Sequence, residues 1–138
     1  MKKFFSDSIS DFILIIILLI ISFLTRPLNI KDAFGIGLII PSLIIWIIAR
    51  IQLGNSFSLL PKTHNLIANG IYSKIRHPIY VCSTIATIGL VLCFDYWWTF
   101  IILILFIFVQ FYRAHKEDVL LKKKFEKQWE NYKEKTWF

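Results

Sequence analysis

Apolar residues fall along this chain in four blocks. Phe12 to Leu24 is almost unbroken aliphatic, and Ala33 to Ala49 is interrupted only by Gly35, Gly37, Pro41 and Ser42. Ile79 to Phe94 and Tyr96 to Tyr112 complete the set. Each block falls somewhat short of the ~20 residues that a helix needs to cross the hydrocarbon. Flanking Ile9, Trp97, Trp98 and Tyr112 can finish the crossings at the interfaces, where aromatic rings are favoured. The pattern predicts an all-α integral membrane protein: a single membrane domain over 1–138, with four transmembrane helices at about 9–26, 33–49, 79–94 and 96–112. Little more than Asp95 separates the last two, which makes them a tight helical hairpin. A signal peptide is disfavoured for the first block, because Arg26-Pro27 follows it where small residues would mark a cleavage site.

Charge placement sharpens the topology. With the amino end inside, residues 1–11, 50–78 and 113–138 hold fourteen of the sixteen Lys and Arg, leaving Arg26 and Lys31 outside. Basic residues concentrate on the cytoplasmic side of membrane proteins, so this count predicts a multi-pass protein with both termini cytoplasmic. The net charge of +7 is therefore topological. It forms no basic patch on a soluble module, and a nucleic-acid partner is not expected. Composition agrees, since 57% of residues are hydrophobic, against roughly 45–50% in soluble domains. Cys82 and Cys93 share one apolar block, cannot bridge along one helix and have no metal-ligand spacing, so no metal is expected.

The polar residues gather in two places. Arg50 to His77 is a loop of 28 residues, far longer than a helix connection needs, and loops of that length are usually functional. It ends in "GIYSKIRHPIY", Gly70 to Tyr80. Pro78 suits the first turn of a helix and so starts the third span, which pushes His77 to an extended conformation. Arg76 and His77 are then held at a helix amino terminus, where anions are favoured. Gly70 supplies a turn, and Tyr72 and Tyr80 supply flat faces with a hydroxyl each. The set suits a ligand with an anionic group and an aromatic ring. The tail "RAHKEDVLLKKKFEKQWENY" repeats Leu121, Phe125, Gln128/Trp129 and Tyr132 at helical spacing among lysines. It predicts a basic amphipathic helix over 113–135 on the inner membrane surface, with Arg113 and Glu117 on one face.

In order, "LG..FS", "H.L...G.Y...RHP.Y", a helical hairpin and "R...ED..L...F...W..Y" resemble the isoprenylcysteine carboxyl methyltransferase family. That family stands with the phospholipid methyltransferases among integral-membrane methyltransferases. The resemblance runs from about Arg50 to Tyr132. It implies S-adenosylmethionine (SAM) as methyl donor and co-substrate. By position, His64, Leu66, Gly70, Tyr72, Arg76, His77, Pro78 and Tyr80 would line the donor site, with Glu117 at the donor's charged end. Arg113, catalytic together with Glu117, would face the acceptor. The implied partners are the lipid bilayer and a lipophilic or lipidated acceptor, most simply an isoprenylcysteine-type carboxylate. The chain departs from the family at Asp118, where a second Glu is usual, and at Glu126, where a Gly is usual.

Two other readings stand beside this one. An NADPH-dependent sterol-type reductase shares "G.Y...RHP.Y", but its tail carries a Cys-x-x-Lys-Tyr-Gly element, and this tail has no cysteine. A non-catalytic membrane interaction protein would keep the scaffold without the chemistry. A transporter is disfavoured, because none of the four blocks contains an ionisable residue in its interior.

Overall fold

The structure is a computed structural model that describes residues 10, 13, 14, 16–18, 20, 21, 24, 29–54, 68–94 and 96–137. Among them the chain is helical, with no strand beyond one isolated bridge. The described residues between 10 and 24 are helical, and the rest of the first predicted span lies outside the described set. Four further helices follow, α1 (Ile30–Gly54), α2 (Pro78–Cys93), α3 (Trp98–Phe125) and α4 (Lys127–Lys135), with a single 3-10 turn at Gly70–Ser73 between α1 and α2.

Two of these helices are long and apolar enough to cross a membrane, α1 through Leu53 and α3. At 1.5 Å per residue, 25 and 28 residues reach about 37 and 42 Å, beyond the ~30 Å hydrocarbon thickness. Pro41 does not end α1; the Ser42 hydroxyl donates to the Leu38 carbonyl within the same helix. Apolar side chains of α3, from Phe100 to Tyr112, are largely exposed, an exterior suited to lipid and costly in water. α2 is shorter at 16 residues, about 24 Å.

α1 and α2 pack at a crossing that admits no side chain. A Cβ on Gly35 would sit 2.5 Å from the Gly89 carbonyl oxygen, and one on Gly89 would sit 2.6 Å from the Gly35 carbonyl. Ile39, Leu90 and Cys93 close over this crossing, with Leu18 against them. A second core joins Trp46 and Ala49 of α1 to Tyr72 and to Ile79 and Cys82 of α2. It fixes the 3-10 turn against the end of α1 and the start of α2.

The tail differs from the expected separate helix over 113–135. Residues 113–125 continue α3 beyond the apolar stretch, and the break comes at Glu126, with φ 41° and ψ −113°. Among the described residues Glu126 is the one non-glycine with positive φ. The family's Gly at this position has a physical reason, because glycine enters that region without steric cost.

Candidate functional site

The 3-10 turn depends on Gly70. Its φ of +63° is the left-handed region, and a Cβ there would lie 2.5 Å from the Gln52 side chain. Gln52 Oε1 accepts the Ile71 N–H at 3.0 Å, tying the turn to the end of α1. Ser73 closes it by donating its hydroxyl to the Gly70 carbonyl. Pro78 is fully buried at the first turn of α2, as its position before the apolar block predicts. His77 departs from the extended conformation expected before proline, with φ −122° and ψ 55°. Its carbonyl turns into the helix and accepts the Val81 N–H at 3.1 Å, and its side chain faces α3.

Those contacts with α3 change the expected electrostatics. His77 Nε2 lies 2.9 Å from Asp118 Oδ1, and Arg76 Nη1 donates to Asp118 Oδ2 at 3.3 Å. His77 Nδ1 stands 3.8 Å from Glu117 Oε2. The two residues expected to receive an external anion therefore face a carboxylate of this chain. Burial alone would raise the Asp118 carboxyl; the hydrogen bond and charge of His77, then Arg76 and Lys133, reverse it and hold it below its ordinary range. An ionised Asp118 can only accept, so His77 donates to it through Nε2–H.

Glu117, half-buried and beyond the apolar stretch ending at Tyr112, behaves oppositely. Burial raises its carboxyl above the ordinary range and the Asp118 charge adds to this, while His77 and a hydrogen bond from the Tyr80 hydroxyl pull it back. The Tyr80 and His77 rings lie 5.8 Å apart and tilted. Arg113 stands one turn before Glu117 on the same face, half-buried and close enough to act on Tyr80 electrostatically. Gln110 and Ala114 are buried on this face of α3.

α4 roofs the turn. Burial pushes the Tyr132 hydroxyl up to about 12, so it stays protonated and donates to the Tyr72 carbonyl at 2.8 Å. Trp137 N–H donates to Lys74 O at 2.7 Å, and Arg76 N–H donates to Trp137 O at 3.2 Å. Lys122 and Lys133 lie over the buried Trp129 ring, 5.8 and 5.3 Å from its centre. The periodic aromatics of the tail, expected to face the membrane surface, are thus used in part on the protein itself: Trp129 and Tyr132 are buried.

Gly70, Tyr72, Arg76, His77, Pro78, Tyr80 and Glu117 come together at one end of the helices, with Arg113 a turn deeper along α3. His64 and Leu66 lie outside the described residues. Asp118 was legible only as a departure from a family pattern, yet it holds both the Arg76 guanidinium and the His77 ring. Gln52 and Trp137 carried no signal in the sequence. The arrangement fits a zwitterionic, aromatic ligand such as SAM. Among the described residues the Tyr72 hydroxyl and Arg76 Nε are buried without a hydrogen-bond partner, which costs free energy unless a ligand completes them. Glu117 adds a second carboxylate to the cluster, 3.8 Å from His77 Nδ1.

An apolar helical exterior beside a buried His77 and half-buried carboxylates points to a membrane protein whose helices build its polar cluster. The family model for phospholipid methyltransferase matches residues 30–128, and the chain belongs to that family. No curated protein and no solved structure matches it. Family membership makes the chain a membrane methyltransferase with SAM as co-substrate.

Proposed function

We propose that this protein transfers the methyl group of SAM to a lipophilic acceptor bearing a carboxylate, of the isoprenylcysteine type. The observation that carries the reading is the shared face of Arg113 and Glu117 against Tyr80, at the end of an apolar helix. Bound SAM supplies an electrophilic methyl on a sulfonium. Glu117, braced by the Tyr80 hydroxyl, faces that positive charge, while Gly70, Tyr72, Arg76, His77, Pro78 and Tyr80 form the donor's walls. Arg113 steers an acceptor carboxylate by a bidentate contact that a lysine would not reproduce. Such an acceptor is already anionic at neutral pH and needs no base. That agrees with His77, which is engaged by Asp118. Alignment of donor and acceptor can then supply ~7–11 kcal/mol of the barrier. The surrounding topology we take as one membrane domain of four spans, with both termini and the 50–78 loop cytoplasmic.

Glu117 and Arg113 separate the two halves of this reading. Glu117→Gln weakens S-adenosylhomocysteine (SAH) and SAM in titration calorimetry. In the wild type, donor affinity falls as pH drops through the raised Glu117 pKa, which lies above the ordinary 4.5. The protonated acid loses its attraction for the donor's cation, and Glu117→Gln shows no such step. Arg113→Ala raises the KM for the acceptor and leaves donor affinity within about twofold. Equal loss of donor and acceptor affinity in both variants would make the pair structural and remove the assignment.

A further inference from the structure

The donor's α-amino-acid head carries a carboxylate as well as an ammonium, and Arg76 or His77 was the expected partner for the carboxylate; His77 lies 2.9 Å from Asp118. In the structure Arg76 is turned onto Asp118 at 3.3 Å. A different cation acts on Tyr72. Arg50 ends the apolar part of α1, half-buried, with its guanidinium 5.9 Å from the centre of the Trp46 ring. Trp46 and Ala49 pack directly against Tyr72 in one core cluster, so Arg50 and the Tyr72 ring meet at the same corner.

Tyr72 itself is held unusually firmly. Its backbone carbonyl accepts from the Tyr132 hydroxyl, and the residue is only 6% exposed. Nevertheless its hydroxyl has no hydrogen-bond partner among the described residues. A buried hydroxyl left so costs roughly 1–3 kcal/mol. Glu117 and Arg50 both act on that hydroxyl electrostatically, one negative and one positive. A buried hydroxyl within electrostatic reach of both an anion and a cation suits an amino-acid zwitterion.

We propose that Arg50 and the Tyr72 hydroxyl form the subsite for the donor's carboxylate, with Glu117 taking the ammonium. The inference rests on the methyltransferase reading and deepens it. Arg76 then becomes a positioning residue that, with Asp118, shapes the turn carrying Tyr72. The sequence pattern pointed elsewhere because Arg50 lies 22 residues before Tyr72 and no spacing links the two.

The test uses two ligands, SAH and its decarboxylated analogue, which keeps the adenosine, thioether and amine but lacks the carboxylate. Calorimetry on the full-length protein in detergent should show the wild type preferring SAH by tenfold or more. Arg50→Gln should abolish that preference by weakening SAH alone, leaving the analogue within twofold, and Arg50→Lys should keep part of it. Arg76→Gln should weaken both ligands to a similar degree. A wild type that binds both ligands equally would overturn the subsite and leave the donor reading standing. A preference that survives Arg50→Gln but vanishes in Arg76→Gln would return the carboxylate to Arg76. A wild type that binds neither ligand would remove the donor reading and the subsite with it.

Discussion

Asp118→Asn is the most informative single change in this site. The side chain keeps its shape but loses the charge that Arg76 and His77 share. Both contacts are well shielded, with 21% of the Asp118 side chain, 13% of Arg76 and 4% of His77 exposed. Hydrogen bonds to a charged partner contribute about 1.5–3 kcal/mol, and neutral ones about 0.5–1.5 kcal/mol. An asparagine oxygen can still accept from one of the two donors. Because the contacts share one carboxylate they do not simply add, and the net cost is roughly 2 kcal/mol, or about 30-fold in an equilibrium constant. That loss divides between folding stability and donor affinity. Unfolding in detergent and SAH calorimetry therefore have to be read together, and both should fall.

The pH dependence gives an independent handle on the same carboxylate. Asp118 is depressed below its ordinary 3.8, so its stabilisation is present above that value. It is lost as pH falls through the folded-state pKa. The stability gap between wild type and Asp118→Asn should accordingly narrow in acid. Unchanged stability with tighter SAH binding would refute the reasoning. It would mean that Asp118 merely occupies Arg76 and His77, and that these two are the donor's own ligands.

Two further outcomes are expected. Glu126→Gly should raise the unfolding temperature in detergent. A non-glycine residue at φ 41°, ψ −113° carries strain of order 1–3 kcal/mol, and relief of about 1 kcal/mol is expected after glycine's extra chain entropy is subtracted; a lower unfolding temperature would contradict this. For the topology, a membrane-impermeant thiol reagent added outside intact cells should label Asp95→Cys and leave Asn65→Cys unlabelled, and the reverse pattern would invert the orientation.

The helical class, the start of α2 and the turn at Gly70 were legible in the sequence because each rests on a local rule. Apolar runs announce membrane helices, Pro78 announces the start of α2, and Gly70 announces a turn. The partners of the site residues were not legible, because they come from remote segments. Asp118 reaches Arg76 across 42 positions and Tyr132 reaches Tyr72 across 60. No periodicity encodes such pairings. The tail illustrates the limit well. Helical spacing located Trp129 and Tyr132 on one face correctly, but a hydrophobic face does not say whether lipid or protein will cover it. Here the protein does, at least for those two rings. The break at Glu126 was hidden for the opposite reason: glutamate favours helix, and the backbone bends there against its preference.

The central claim is methyl transfer from SAM to a carboxylate. The most direct measurement incubates purified protein in lipid with methyl-labelled SAM. Lipophilic carboxylates, thiols and phosphatidylethanolamine compete as acceptors, and the label is then treated with mild base. A carboxyl methyl ester releases its label as volatile methanol, whereas a methylated amine or thioether keeps it. The account predicts incorporation into the carboxylate with base-labile label. Stable label on phosphatidylethanolamine in preference to the carboxylate would contradict it.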